Sequence, residues 1–274
     1  MIDRRGAAEA ALSAAREAAQ LIMRVYAQPF TVEYKIGDDP VTRADREANA
    51  LICERLARAF PGVPIVAEES DPGTYAGFTR ASETWFVDPL DGTREFVAKN
   101  GEFVVMIGLA EKGRATLGVI VIPVSGRAFV GIAGDGAWEV ASDGSRTPIR
   151  VSTRDSVEGA SFVVSRSRQP DRVKALAASM GAREAVPRGS SGLKGVLVAT
   201  GVHDVYLQPG NAGMRWDACA TEALVCAAGG ACTQTDGSPF DYAVDALLNT
   251  GGLVATNGAL HDRVVSALRL QPPK

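Results

Sequence analysis

The residues best suited to chemistry lie together in Trp85-Phe-Val-Asp-Pro-Leu-Asp-Gly-Thr-Arg-Glu-Phe96. The aromatic and apolar run from Glu83 reads as a buried strand, and it delivers Asp88 to a place where charge is costly unless paired. Pro89 has no N–H to give a sheet ladder, so strand pairing is predicted to stop there. Asp88, Asp91 and Thr93 then crowd a strand exit, with Gly92 allowing a tight turn. Two carboxylates held so close repel one another unless a cation joins them. Gly92 and Thr93 also present backbone N–H groups where a helix would begin, a natural place for an anion. Metal carboxylates beside an anion cradle point to transfer of a phosphoryl group to water.

Other carboxylates stand at element boundaries: Asp45, Glu68 and Asp217. Each also has an ordinary structural explanation. Asp45 completes a capping box, Asp217 suits the first turn of a helix, and Glu68-Glu69 reads as a solvated pair after a short strand. If they converge with Asp88 and Asp91, the hard-oxygen set selects Mg2+, which takes carboxylate and phosphate oxygens and keeps some waters. With only His203 and His261, and with Cys53, Cys219, Cys226 and Cys232 lacking CxxC spacing, zinc and Ser-His-Asp chemistry have little basis. An aspartyl-nucleophile phosphatase of the haloacid dehalogenase type needs Asp-x-Asp-Gly-Thr. Here the spacing is one residue longer with proline inside, which displaces the nucleophile from its partner, so that reading is rejected.

The elements that must position these groups follow from periodicity and turn chemistry. Residues 3–27 place Leu12, Ala15, Ala19, Ile22 and Tyr26 at helical spacing, and Pro29 ends the helix. Lys35-Ile-Gly-Asp-Asp-Pro40 reads as a loop. Thr42-Arg-Ala-Asp45 opens a helix whose face is Ala48, Leu51, Ile52 and Leu56, until Pro61-Gly62 stops it. Pro64-Ile-Val-Ala67 is a short strand ending on Glu68. Beyond Phe96, strands at Phe103–Ala110, Thr116–Ile122, Arg127–Ile132 and Ala137–Val140 are separated by glycine and proline turns, an antiparallel meander. From Ser161 onward, short strands alternate with helices, which predicts an α/β layer. A domain boundary is placed near residue 150. On this reading 1–150 is an N-terminal α+β domain carrying most metal ligands, and 151–274 is an α/β domain completing the site.

Bulk properties narrow the class. The 274 residues are 46% apolar and 22% charged with a net charge of −3, ordinary for a soluble globular protein. No Lys/Arg block offers a footprint for polymeric nucleic acid. No apolar run approaches the roughly 20 residues needed to cross a bilayer, and the first residues do not read as a secretory leader. The cysteines read as small buried thiols of a reducing cytosol, so a cytoplasmic location is expected.

Taken together, these residues resemble the lithium-sensitive, magnesium-dependent inositol monophosphatase superfamily. Asp39-Pro-Val-Thr-Arg-Ala-Asp45, Ala67-Glu-Glu-Ser70, Trp85-Phe-Val-Asp-Pro-Leu-Asp-Gly-Thr93 and Trp216-Asp-Ala-Cys-Ala220 with Ala228-Gly-Gly230 match its recurrent motifs in order over most of the chain. The resemblance implies an α/β (α+β) fold, a layered αβαβα sandwich of the inositol monophosphatase and sugar phosphatase type. It implies that Glu68, Asp88 and the Leu90 carbonyl hold one Mg2+, that Asp88, Asp91 and Asp217 hold a second, and that a third ion binds near Glu68. Asp45 and Thr93 would orient and deprotonate the attacking water near Glu68, and Gly92 and Thr93 would contact the phosphate.

Within the superfamily, Asp88-Pro-Leu-Asp-Gly-Thr-Arg-Glu-Phe96 and Lys99-Asn-Gly-Glu-Phe103 are similar to the 3'(2'),5'-bisphosphate nucleotidase branch. Inositol phosphatases more often read Asp-Pro-Ile-Asp-Gly-Thr-x-Asn-Phe, and Gly210 stands where their ring-contacting glutamate is expected. Ser165, Arg168, Gly189, Ser190, Ser191 and Lys194 fall in segments that line the nucleotide-branch pocket. Ser165, Ser190, Ser191 and Lys194 also read as turn-forming, solvated residues. Arg168 replaces that branch's histidine, and Gln208 lies where some members carry an arginine. Arg168 either pairs with a second phosphate or lies on the surface. The implied activity is hydrolysis of adenosine 3',5'-bisphosphate to AMP, with sugar- or inositol-phosphate hydrolysis and a non-catalytic metal or phosphate sensor as alternatives. The implied partner is a small phosphorylated molecule, and the assembly a monomer or homodimer.

Overall fold

A computed structural model describes residues 2–35 and 39–270. Ile36, Gly37 and Asp38 of the expected 35–40 loop lie outside the described residues. The chain opens with α1 (Arg4–Tyr26), then β1 (Val32–Lys35) and β2 (Asp39–Thr42), which pair antiparallel. Thus the ends of the expected loop are strands of a hairpin. Helix α2 (Arg43–Ala59) follows, capped at Thr42 as the sequence predicts.

Next come β3 (Ile65–Ala67), β4 (Glu83–Asp91), the short α3 (Thr93–Val97), β5 (Val104–Glu111), β6 (Arg114–Ile122), β7 (Arg127–Ile132), β8 (Gly136–Val140) and β9 (Arg146–Pro148). Together β3–β9 form a seven-stranded sheet in sequence order, with β3 parallel to β4 and every other pair antiparallel. The expected meander is this sheet, lengthened at both ends.

The remaining elements are β10 (Ser161–Ser165), α4 (Pro170–Ser179), β11 (Glu184–Arg188), α5 (Ser191–Ala199), β12 (Val205–Gln208), α6 (Arg215–Ala227), β13 (Ala231–Thr233), β14 (Leu253–Thr256) and α7 (His261–Leu270). Their strands make a second sheet in the order β11-β10-β12-β14-β13.

Period-two alternation sorts the layers. Along β10 and β12, Val163 and Tyr206 enter the core that also holds Ala218, Cys219 and Leu224 of α6. Their neighbours Phe162, Val164, Val205 and Leu207 face Val173 of α4 and Val264 of α7. On the far side, Ala11, Ala15 and Ile22 of α1 and Ile52 and Leu56 of α2 cover Val105, Ile107 and Val119 of the large sheet. The order is therefore α1/α2, large sheet, α5/α6, small sheet, α4/α7: the expected αβαβα sandwich.

Helix α6 lies unusually close to the large sheet. Gly108, Gly118 and Gly131 pair in one row across β5, β6 and β7. A Cβ on Gly118 would stand 2.2 Å from the Ala220 carbonyl oxygen, and one on Gly131 2.6 Å from Leu224 Cα. The row is a trough that seats α6 and so fixes the height of Asp217 in its first turn. Cys219 and Cys232 are buried thiols as expected, whereas Cys53 is half-buried and Cys226 exposed. Among the described residues, no helix is long and apolar enough to cross a membrane.

Candidate active site

The expectation that pairing ends at Pro89 is corrected. Strand β4 pairs Asp88 with Met106 of β5, shifts register, and pairs Asp91 with Val104. Three steps along β4 therefore match two along β5, a bulge. Pro89 sits within it, where its missing N–H costs no ladder bond, and the Leu90 N–H turns to Asp88 Oδ1 at 3.0 Å. Residues three apart on a regular strand face opposite ways, and the extra residue brings Asp88 and Asp91 to the same face. That face is the one towards α5 and α6, where Val104 and Met106 also point.

Asp217 arrives from the first turn of α6 and accepts the Met214 N–H. Carboxylate oxygens of Asp88, Asp91 and Asp217 all lie within 4.8 Å of one another. Asp91 Oδ2 accepts the Ser190 hydroxyl at 2.6 Å and the Gly192 N–H at 2.7 Å, which ties the acidic floor to α5. Glu68 leaves β3 beside Asp88. It is not simply solvated: Lys35 Nζ donates to Glu68 Oε1 at 3.2 Å and also to Glu69.

Asp45 both completes the helix cap and reaches Thr93. Oδ2 accepts the Thr42 N–H at 2.8 Å and the Thr42 hydroxyl at 2.7 Å, closing the cap. Oδ1 is left to accept the Thr93 hydroxyl at 2.9 Å. Thr93 Oγ1 is also 3.3 Å from the Leu90 carbonyl oxygen. Gly92 takes φ 101° to turn the chain into α3, and a Cβ there would meet the Glu102 carbonyl at 2.9 Å.

Burial and mutual repulsion dominate the electrostatics. Burial, then Glu68, Asp91 and Asp217, raises Asp88 well above the usual carboxylate range. Burial and Asp91 push Asp217 up to about 7, and burial outweighs Lys35 to push Glu68 up to about 8. Asp45 is raised by burial against its hydrogen bonds from Thr42 and Thr93. A converging set of hard oxygens that resist ionisation together is the donor chemistry a divalent cation such as Mg2+ relieves, so these residues fit that ion.

The acidic cluster floors a cavity of about 600 Å³. Arg94, Ser165, Ser167, Arg168, Ser190, Ser191 and Lys194 contribute cationic and hydroxyl groups to its lining. The lining also includes the apolar Ala212, Met214, Trp216 and Leu248, together with Tyr206, Gln208, Asn211 and Gly213. Ser190 and Lys194 are buried, contrary to the solvated alternative. Lys194 Nζ donates to the Gly189 carbonyl at 3.3 Å and to that of Ser190, and lies 5.0 Å from the centre of the Tyr206 ring. Burial lowers its pKa to about 8 against the pull of Asp91 and Glu95. Arg168 stands at the rim, with Nη1 3.2 Å from the Asn211 carbonyl.

Gly189 does not line the cavity. Its N–H is committed to Glu102 Oε2 at 2.7 Å, and a Cβ would stand 2.3 Å from Glu95 Cγ. Gln208, which the sequence marks only by the arginine that some bisphosphate nucleotidases carry nearby, lines the cavity. Alternation along β12 is the signal that finds it: Tyr206 faces the site, Leu207 turns away, and Gln208 faces in again.

An αβαβα sandwich whose middle layers converge three carboxylates beside a Thr–Asp pair defines a metal-assisted phosphatase scaffold. The sequence profile of the Inositol monophosphatase family matches residues 3–272, and the chain belongs to that family. It is similar to the 3'(2'),5'-bisphosphate nucleotidase CysQ of Escherichia coli (strain K12), with 37% identity over 240 residues, covering 86% of this chain and 94% of that protein. Among solved structures, CysQ from Bacteroides thetaiotaomicron superposes with a TM-score of 0.75 at 30% identity, covering 91% of this chain and 96% of that one. An inositol monophosphatase from Anabaena (Nostoc) sp. PCC 7120 gives 0.80 at 28% identity, covering 99% and 98%.

Proposed function

We propose that this chain is a Mg2+-dependent phosphomonoesterase that hydrolyses adenosine 3',5'-bisphosphate to AMP and phosphate. The observation that carries the chemistry is the convergence of Asp88, Asp91 and Asp217 beside the Thr93–Asp45 hydrogen bond. The substrate follows from the likeness to 3'(2'),5'-bisphosphate nucleotidases over most of both chains, together with the Arg94-Glu95 pair after Thr93.

Glu68, Asp88 and the Leu90 carbonyl would hold one Mg2+, Asp88, Asp91 and Asp217 a second, and Glu68 would border a third. When bound, the ions supply an acidified water and positive charge against the leaving oxygen. The Thr93 hydroxyl gives its proton to Asp45 Oδ1 and takes one from the attacking water, a short relay that the raised proton affinity of Asp45 favours. N–H groups of Gly92 and Thr93 orient the phosphate oxygens. Arg168, Ser165, Ser190, Ser191 and Lys194 face the second phosphate and the sugar, with Lys194 acting as a fixed charge because its donors are held by backbone carbonyls. Most acidic ligands come from 1–150, while 151–274 brings Asp217 and the substrate wall.

The test is phosphate release from adenosine 3',5'-bisphosphate, inositol 1-phosphate and fructose 1,6-bisphosphate, with Mg2+ and with added Li+. Preferential cleavage of the nucleotide with inhibition by Li+ is expected. A clear preference for inositol 1-phosphate would overturn the substrate, and no release from any of them would leave a non-catalytic sensor.

A further inference from the structure

Ala212, Met214, Trp216 and Leu248 are apolar residues in the lining of a cavity that is otherwise largely acidic, cationic or hydroxylated. Leu248 lines the cavity and is 43% exposed, a large aliphatic side chain left uncovered beside a polar site. Met214 lies beside it through an antiparallel bridge, Met214↔Leu248. Because Met214 gives its N–H to Asp217, Leu248 stands about one strand spacing, roughly 5 Å, from a residue bonded to the acidic floor.

This lip is rigidly presented. Asn249 is buried and spends every polar group on the segment that precedes Asp217. Its N–H donates to the Gly213 carbonyl at 2.8 Å, and its carbonyl accepts the Ala212 N–H at 2.9 Å. Its Oδ1 accepts Arg215 Nη1 at 2.6 Å, and its Nδ2 donates to the Met214 carbonyl. The Arg215 N–H closes the strap on the Leu247 carbonyl at 2.8 Å. Backbone and side-chain bonds thus fix Leu248 in place while leaving its methyls uncovered.

We propose that Leu248, backed by Met214, is the contact surface for the purine base, and that it makes the site select nucleotides over phosphate esters that lack a base. The inference rests on the bisphosphate nucleotidase reading above. With the 3'-phosphate at the acidic floor and the 5'-phosphate and sugar towards Arg168 and Lys194, the base is the part left to reach Leu248, where a flat apolar ring covers what the chain leaves bare.

AMP and ribose 5-phosphate share the sugar and the phosphate and differ by the base. Their binding to wild type, Leu248→Ser and Leu248→Met is measured by calorimetry with Mg2+ present, with thermal melts confirming the fold. Wild type is expected to prefer AMP by about tenfold, and Leu248→Ser to lose most of that preference while Leu248→Met keeps it. The KM for adenosine 3',5'-bisphosphate should rise in Leu248→Ser with kcat little changed. An unchanged AMP preference in Leu248→Ser, or an equal loss for both ligands, overturns the base contact while the nucleotidase reading stands. Absence of bisphosphate hydrolysis by wild type overturns the reading beneath it.

Discussion

The Thr93 hydroxyl donates to Asp45 Oδ1 at 2.9 Å, joining residues 48 positions apart in the chain. Asp45 is oriented for this by the helix cap it completes, since Oδ2 is held by Thr42. If the pair works as one proton relay, breaking either end should cost about the same. Thr93→Ala and Asp45→Asn are each expected to lower kcat by on the order of a hundredfold or more, and Thr93→Ser to retain most activity. The double variant should be little worse than the worse single one, because members of a catalytic unit are not additive. Multiplying losses would separate the two roles.

Lys35 presents its ammonium to Glu68, one of the oxygens proposed to bind an ion. One carboxylate oxygen does not serve an ammonium and a divalent cation equally well. Lys35→Met should therefore lower, several-fold, the Mg2+ concentration that half-saturates thermal stabilisation. A higher requirement in that variant would mean that Lys35 assists the ion instead of competing with it.

Asp88 faces Glu68, Asp91 and Asp217 from a fully buried position. Removing its charge relieves repulsion in the metal-free protein and removes the proposed shared ligand. Asp88→Asn is expected to melt higher than wild type without Mg2+, to lose the rise in melting temperature that Mg2+ gives wild type, and to lose turnover. Retained turnover in a folded Asp88→Asn would refute the ligand assignment.

Much of the scaffold is legible from local pattern. The spacing of Leu12, Ala15 and Ile22 finds α1, the turns at Gly113 and Gly126 bound the meander, and acidic residues beside Gly and Pro mark the site. What stays hidden depends on contacts distant in sequence. A proline inside β4 reads as a stop, because only the register with β5 reveals the bulge that accommodates it. Gly108, Gly118 and Gly131 look like unrelated strand glycines until β5, β6 and β7 are set side by side beneath α6. Lys194 reads equally as a pocket residue and as a solvated turn lysine, and its burial is decided by Tyr206 and the first turn of α5.

Glu222 gives a pH dependence that lies away from the acidic floor. Burial pushes its carboxyl up to about 7, against the Tyr242 hydroxyl that donates to it at 2.6 Å and the charges of Arg114 and Arg215. A carboxyl raised in the folded state binds its proton more tightly there than in the unfolded chain. Its contribution to stability is therefore fully present below the ordinary value of 4.5 and is lost as pH rises through about 7. Glu222→Gln keeps an acceptor for Tyr242 and removes the titration. Its unfolding free energy, followed by melting at each pH, should lie close to that of wild type at acid pH and rise above it as pH climbs towards 8, by on the order of 3 kcal/mol at most. A difference between the two proteins that stays constant across this range would show that Glu222 ionises as freely in the folded protein as in the unfolded one.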